Sequence, residues 1–341
     1  MKARFLKYEL QFKKRATTSR GAMNTRTVWY LFLEEDGKTG VGECAPIPGL
    51  SRETKEEIEK LIPEVCAKPE KYIQDKSLLL NFPSLLFALE TAFIDLQNGG
   101  KRILFPSAFT EGKSGILING LIWMDEIDVM QSQIEEKLEQ GFHCIKLKIG
   151  AKDFEQELQL LKSIRQRFTT EQITLRVDAN GAFLPDEAID KLRALAELNI
   201  HSIEQPIAAG NSKEMARICS QTPLPVALDE ELIGVHTEAE KEELLDRIKP
   251  QYLILKPSLH SGFLGCDEWL ELANKRGINW WITSYLESNI GLNAIAQWTF
   301  TKNTKIHQGL GTGQLFTNNI ESPLEIRGER LWFNTAAKFG M

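Results

Sequence analysis

Short apolar runs that end in a charged or polar residue recur along the second half of the chain. They read ILIN to Asn119, IKLK to Lys148, RVD to Asp178, SIE to Glu204, ALD to Asp229, LILK to Lys256 and WITS to Ser284, with a last run, IHQG, at Gly309. Successive ends lie 25 to 30 residues apart, about the length that a strand, a helix and two loops occupy in a parallel crossover. Eight such units predict an α/β fold with a (β/α)8-type barrel, whose functional side chains lie at the carboxyl ends of the strands.

The first third of the chain follows another pattern. Residues 4–12 alternate, and residues 27–46 read as two strands joined by a turn at Asp36 and Gly37. Helical periodicity follows from about Glu53 and again from about 84 to 96. Strands followed by helices predict a separate α+β domain. The predicted domains are 1–105 (α+β, joined by a C-terminal return of 315–341) and 106–314 (barrel).

Composition narrows the class of protein. The 341 residues, of which 42% are hydrophobic, can build one barrel and a smaller domain. The net charge of −6 argues against a nucleic-acid partner. No apolar run reaches the ~18 residues of a membrane span, and the basic start lacks the apolar core of a secretory signal. Five scattered cysteines without a C-x-x-C pair fit a reducing compartment, so we expect a cytoplasmic protein. The sequence indicates no oligomeric state.

Three carboxylates follow three successive predicted strands. Asp178, Glu204 and Asp229 should therefore point into one bowl, although carboxylates are costly to bury. Oxygen ligands without a neighbouring His or Cys suit a hard divalent cation, Mg²⁺, for which Mn²⁺ can substitute. Taken singly, each has another explanation: a turn residue, a loop acid and a helix cap, in that order. Their common position favours a metal site.

Three lysines flank these carboxylates. Lys146 and Lys148 lie two apart on one strand, so both should face the barrel interior, and at least one should have a lowered pKa and act as a base. Lys256 ends a strand on the opposite side. A metal between two lysines suits acid–base work on a carbon acid. The alternatives are a solvated edge pair for the first two and an ion pair for the third. Asn180 is predicted as a supporting donor behind the ligands.

Together these residues resemble the enolase superfamily, in its muconate-lactonising branch. The motifs are K-x-K at Lys146 and Lys148, D-A-N at Asp178, E-Q-P at Glu204, L-D-E at Asp229 and K-P at Lys256. The resemblance implies a modified barrel under a capping domain. It also implies a Mg²⁺-bound enediolate, formed by removal of a proton α to a carboxylate.

Two segments of the first domain, TTSRGA and GVGECAPIPGLSRET, look like the capping loops of o-succinylbenzoate synthases, which are dehydratases (hydro-lyases) of menaquinone biosynthesis. By that resemblance Lys148 removes the α proton from 2-succinyl-6-hydroxy-2,4-cyclohexadiene-1-carboxylate and returns a proton to the departing hydroxyl, while Lys256 steadies the anion. The alternatives are muconate cycloisomerase, N-acylamino acid racemase and dipeptide epimerase, and, from another class, a binding protein that has lost its chemistry. Dipeptide epimerases usually carry D-x-D where this chain reads GLGTGQLF, which favours a dianionic or apolar substrate.

Contacts to this small carboxylate substrate are predicted from loop positions. The candidates are Arg20, Ser51, Ser284 and the backbone near Gly311. Each of them could equally serve loop geometry.

Overall fold

A computed structural model describes residues 1–18, 21–123 and 125–341. Its strands are β1 (Lys2–Thr18), β2 (Gly21–Glu35), β3 (Lys38–Cys44), β4 (Ile116–Leu117), β5 (Gly120–Ile122), β6 (Cys144–Lys148), β7 (Thr174–Asp178), β8 (Ser202–Glu204), β9 (Val226–Leu228), β10 (Tyr252–Leu255), β11 (Asn279–Ile282), β12 (Leu324–Arg327) and β13 (Arg330–Phe333). Its α-helices are α1 (Lys55–Ala67), α2 (Pro69–Gln74), α3 (Pro83–Gln97), α4 (Ile127–Glu139), α5 (Phe154–Arg167), α6 (Pro185–Ala196), α7 (Ser212–Gln221), α8 (Glu238–Ile248), α9 (Gly262–Lys275) and α10 (Asn289–Thr301).

Seven parallel strands form the barrel, in the order β11-β10-β9-β8-β7-β6-β5. The eighth unit is reduced to two residues that join the two edges of this sheet: Gln308 bridges Ile118, and Gly309 bridges Thr283. Helices α4 to α10 alternate with the strands, and apolar side chains of both fill one continuous core. The predicted (β/α)8-type barrel is therefore confirmed. No helix in the described part of the chain is both long and apolar enough to cross a membrane.

The first predicted strand end, Asn119, was wrong. Ile116 and Leu117 pair antiparallel with β13, outside the barrel sheet. The strand that pairs with β6 is β5, which begins after Asn119. The apolar run ILI is therefore divided between two sheets: Ile116 and Leu117 pair with β13, whereas Ile118 bridges Gln308 at the barrel edge.

The first domain is a three-stranded antiparallel sheet, β1-β2-β3, covered by α1 to α3. The β2–β3 hairpin turns at Asp36 and Gly37, whose φ angles of 50° and 74° are those of a type I′ turn. Helix α3 lies directly against β3, where a Cβ on Gly42 would stand only 1.9 Å from the carbonyl oxygen of Ala88. The predicted hairpin and apolar helix are both present, which makes this an α+β unit as expected.

The C-terminal segment contacts both parts of the molecule. The Lys13 and Thr317 N–H groups donate to the carbonyl oxygens of Leu315 and Gln11, each at 2.8 Å, which places this stretch beside β1. The predicted closing hairpin is formed by β12 and β13, but it extends β4 instead of the first sheet. The exact domain limits stay a prediction.

Two carboxylates of the first domain bind the amino ends of barrel helices. Glu43 accepts from the Ser288 N–H at 2.7 Å, the Ser288 hydroxyl at 2.5 Å and the Gly291 N–H at 2.8 Å at the start of α10. Glu90 accepts from the Phe263 N–H at 2.6 Å at the start of α9. Free N–H groups and the helix dipole favour negative charge at this end of a helix. These contacts hold the first domain over the barrel mouth.

Replacing Glu43 by glutamine should remove a pH dependence of stability. Burial raises the pKa of Glu43 from 4.5 to about 7. Between these values the folded protein keeps a proton that the unfolded chain has released, so the free energy of unfolding falls as pH rises across that window. We expect urea unfolding to show a loss on the order of 2 kcal/mol between pH 4.5 and 7 in the parent and a much smaller loss in Glu43→Gln. Glu56→Gln, at an exposed position of α1, is the control; an equal slope in all three proteins would contradict this origin.

Candidate active site

The sequence-predicted carboxylates and lysines come together at one end of the barrel. Lys148 and Asp178 are register partners at the ends of β6 and β7, and Asp178 is the partner of Glu204 at the end of β8. Asp229 and Lys256 directly follow β9 and β10. Parallel strands bring their carboxyl ends to one edge, which is why residues far apart in sequence meet here.

Each lysine contacts a buried carboxylate. Lys146 Nζ lies 2.9 Å from Asp178 Oδ2 and 2.5 Å from Glu204 Oε2. Lys148 Nζ lies 2.5 Å from the same Asp178 oxygen, and Lys256 Nζ contacts Asp229 Oδ2. The three carboxylate side chains are at most 1% exposed. Buried charges of this kind persist only where opposite charges compensate them.

Burial and opposite charges act against each other on the ionisable groups of this site. Burial alone would lower the pKa of Lys146, but the carboxylates of Asp178 and Glu204 outweigh it, so its pKa is raised. Burial acts to raise the pKa of Asp178, but Lys146 and Lys148 hold it well below its usual range. Burial, followed by repulsion from Asp178, raises the pKa of Glu204 well above its ordinary value. The contacts with Asp178 and Glu204 thus favour the charged form of Lys146.

The donor set fits a hard divalent cation. Within the described residues no three His, Cys, Asp or Glu side chains form a ready-made metal cluster, and the carboxylates contact lysines instead. Glu204 Oε1 and Asp229 Oδ1, however, are buried oxygens that have no hydrogen-bond partner among the described residues. Buried oxygens are normally satisfied, and carboxylate oxygens are the ligands that Mg²⁺ prefers. These residues therefore fit the predicted ion.

Asn180 lies between Lys148 and Glu230 and contacts both side chains. Its Oδ1 accepts from Lys148 Nζ at 2.9 Å, and its Nδ2 donates to Glu230 Oε1 at 3.0 Å. The residue has a positive φ of 46°, and its own N–H donates to Asp178 Oδ1. Asn180 thus touches a predicted catalytic lysine directly. Glu230 was missed from the sequence, although its place beside Asp229 in LDEE was a usable signal.

The predicted substrate contacts take different positions. Ser51 accepts from the Ile47 N–H at 2.9 Å, and its hydroxyl lies 3.3 Å from that of Tyr285. Ser284 is buried, and its hydroxyl bonds that of Thr312 at 2.5 Å. Gly311 lies next to Thr312, where a Cβ added to it would stand 3.6 Å from the carbonyl oxygen of Asn119. Arg20 lies outside the described residues.

Two further residues that the sequence did not reveal adjoin Lys256. His260 Nδ1 accepts from the Lys256 N–H at 3.1 Å, and burial lowers the pKa of this histidine to about 3, so it is neutral. Tyr285 places its ring 5.9 Å from Lys256 Nζ. The only sequence signal for Tyr285 was its position directly after Ser284.

Family models match both parts of the chain. An enolase C-terminal domain-like model matches residues 129–338, and a MenC N-terminal domain model matches residues 1–96. An o-succinylbenzoate synthase from Desulfotalea psychrophila is 45% identical over 96% of this chain and 98% of that protein. The crystal structure of MenC from the same organism superposes with a TM-score of 0.88 at 42% identity, covering 97% of this chain and 99% of that one.

More distant structures share the fold. A muconate lactonizing enzyme from Pseudomonas fluorescens gives a TM-score of 0.84 at 20% identity, over 99% of this chain and 95% of that one. A dipeptide epimerase from Enterococcus faecalis, complexed with Mg and a dipeptide, gives 0.85 at 20% identity, over 99% and 98%. The lysine and carboxylate motifs at the strand ends, the matches to both domain models and the 45% identity along almost the whole length agree. The chain belongs to the enolase superfamily and, within it, to the o-succinylbenzoate synthase family.

Proposed function

We propose that this chain is a Mg²⁺-dependent hydro-lyase that converts 2-succinyl-6-hydroxy-2,4-cyclohexadiene-1-carboxylate into o-succinylbenzoate, a step of menaquinone biosynthesis. The observation that carries this proposal is the 45% identity to an o-succinylbenzoate synthase across both domains. The epimerase and muconate enzymes share the fold at 20% identity, and fold alone does not specify a reaction.

Asp178, Glu204 and Asp229 are the residues that would hold the cation. Bound there, it would supply positive charge that stabilises the negative charge developing on the substrate carboxylate. The buried, unpartnered oxygens of Glu204 and Asp229 support this assignment within the described residues. We also propose that Lys146 stays a cation and balances two of these carboxylates, because it contacts both Asp178 and Glu204.

Lys148 is proposed to move both protons of the reaction. A neutral lysine amine has two N–H groups and one lone pair, and in the structure Nζ has two acceptors, Asp178 Oδ2 and Asn180 Oδ1. Those two hydrogen bonds leave the lone pair for the α proton of the substrate. The resulting ammonium then gives a proton to the hydroxyl that leaves as water, so the lysine returns to its neutral form and the ring becomes aromatic.

Lys256 is proposed to stabilise the anionic intermediate as a cation. Lys256 Nζ contacts the carboxylate of Asp229. Burial acts to lower the pKa of Lys256, but the charge of Asp229 outweighs it, so the pKa is raised. An ammonium with a raised pKa is a poor base near neutral pH, which supports an electrostatic role. Arg20, Ser51, Ser284 and Gly311 remain our proposed substrate contacts.

A side-by-side assay separates the alternatives. Loss of water yields an aromatic ring, so a few hydroxyl and backbone contacts can suffice, whereas a dipeptide brings an ammonium that needs an acidic partner. Residues 309–316, which read GLGTGQLF, contain no acid. We expect rapid o-succinylbenzoate formation, followed by ultraviolet absorbance, and turnover at least about 10³-fold slower with Ala-Glu dipeptides, N-acylamino acids and muconate. Faster turnover of any of these would overturn the assignment of substrate.

We further propose the domain limits predicted from the sequence and a cytoplasmic location. The matches at residues 1–96 and 129–338 fall on either side of the proposed boundary near residue 105. All five cysteines are free thiols in the structure, which suits a reducing compartment.

A further inference from the structure

Tyr285 lies between a proposed catalytic lysine and the loop that covers the barrel mouth. It follows β11 and is 3% exposed. Its ring centroid lies 5.9 Å from Lys256 Nζ, and its hydroxyl shares a 3.3 Å hydrogen bond with the hydroxyl of Ser51. One side chain therefore contacts both the reaction site and the first domain.

Buried charged groups hold the backbone of Tyr285. The Arg26 guanidinium donates to the carbonyl oxygens of Tyr285 and Ala45, and the Glu287 carboxylate accepts from the Tyr285 N–H at 2.6 Å. Arg26 is 3% exposed and Glu287 is fully buried. Burying two charged side chains is costly unless they are paired and hydrogen-bonded. These two contacts fix the backbone of Tyr285 and therefore the direction of its side chain. A residue that only fills space would not require them.

Apart from the Arg26 guanidinium, whose central carbon lies 5.1 Å from the ring centroid, the neighbours that pack against the ring are mostly apolar. Tyr285 packs with Ile47 of the first domain and Leu259 after β10, and Leu50 and Ile233 border the same cluster. A dry environment strengthens the attraction between an ammonium and the face of an aromatic ring. The ring stabilises a cation without adding a second full negative charge, which matters beside an anionic substrate.

We infer that Tyr285 is a positioning residue for the proposed reaction: its ring holds the Lys256 ammonium and its hydroxyl fastens the loop at Ser51 over the barrel mouth. This inference rests on the proposed function, which assigns Lys256 its role. Burial raises the pKa of the Tyr285 hydroxyl, so the group stays neutral and available for the hydrogen bond.

The hydroxyl is tested by a double-mutant cycle. Tyr285→Phe and Ser51→Ala should each raise KM about fivefold, with a smaller effect on kcat, because each removes one hydrogen bond that closes the loop. In the Ser51→Ala background, Tyr285→Phe should change KM less than twofold. Tyr252→Phe, whose hydroxyl lies 3.4 Å from His201 at the other end of the barrel, is the matched control. Independent, additive effects of Ser51 and Tyr285 would overturn the coupling.

The role of the ring is tested by replacing it with an aliphatic side chain. Tyr285→Leu should lower kcat about tenfold while Tyr285→Phe largely retains it, and Tyr285→Leu should have little further effect when Lys256 is already alanine. An equal loss of kcat in the Phe and Leu variants, or additivity with Lys256→Ala, would assign the ring no part in holding the ammonium.

Hydrogen exchange gives a readout that does not depend on the substrate. Tyr285→Phe should increase deuterium uptake of residues 47–53 severalfold, with little change in α3. Unchanged uptake in that loop would refute the tether even in an active enzyme. Increased uptake in a protein that forms no o-succinylbenzoate would retain the tether and reject only the proposed function.

Discussion

Replacement of Lys148 by alanine is expected to lower kcat for o-succinylbenzoate formation by a factor on the order of 10⁴, the upper end of what one positioned proton carrier contributes. The loss is large because the same amine is proposed to take the α proton and to protonate the departing hydroxyl. Lys148 Nζ is held by Asp178 at 2.5 Å and Asn180 at 2.9 Å, whereas the neighbouring Lys146 Nζ contacts both Asp178 and Glu204. KM should change far less, since the lost interaction belongs to the transition state.

The controls separate loss of a base from loss of a charge. Lys152→Ala removes a lysine four residues on, where the side chain pairs with Glu126 at the surface, and should retain activity. Lys256→Arg should be less damaging than Lys256→Ala if positive charge is what that position supplies. Deuterium should not enter the α position of unreacted substrate recovered from the Lys148→Ala variant in deuterated water. Exchange that survives in that variant would assign the base to another group.

The sequence sufficed for the barrel and for its metal and lysine candidates because both depend on local pattern. A parallel strand must end where its crossover begins. A polar residue at the end of an apolar run can therefore be recognised both by its position in the repeating pattern and by its chemistry. Asp178, Glu204 and Lys256 were found in this way, and each lies within one residue of a strand end in the structure. Asn119 misled because its apolar run pairs with β13, a partner more than 200 residues away in sequence.

Features that depend on contacts between the domains left little local trace. Glu43 lies in β3, and nothing in GVGECAP indicates that its carboxylate will bind the start of α10. Arg26 and Tyr285 likewise meet only through the docking of one domain on the other. The raised pKa of Lys146 also depends on such contacts, because the carboxylate of Glu204 that favours its charge comes from another strand.

Glu204→Gln is expected to abolish Mg²⁺ binding and, with it, activity. Glu204 stands on the strand between those of the other two carboxylates, and its Oε1 has no partner among the described residues. Burial and repulsion from Asp178 raise the pKa of Glu204 well above its ordinary value in spite of its contact with Lys146, and a bound cation would add positive charge that favours the carboxylate. Glutamine is neutral and has one side-chain oxygen instead of two. It would therefore hold Mg²⁺, which needs anionic oxygen ligands, too weakly.

Calorimetry and thermal unfolding measure this without reference to turnover. In the parent, Mg²⁺ at about 100 times its Kd should stabilise the fold by about 2.7 kcal/mol, and binding should release protons and tighten as pH rises, because the proton on Glu204 competes with the metal. Glu204→Gln should show neither heat nor a shift in Tm. Glu157→Gln makes the same change at a buried carboxylate that accepts from the Gly150 N–H at 2.9 Å, outside the site, so it should lower Tm yet keep the Mg²⁺-induced shift. If Glu204→Gln gained as much stability from Mg²⁺ as the Glu157 variant, Glu204 would not be a ligand and the proposed metal site would be refuted.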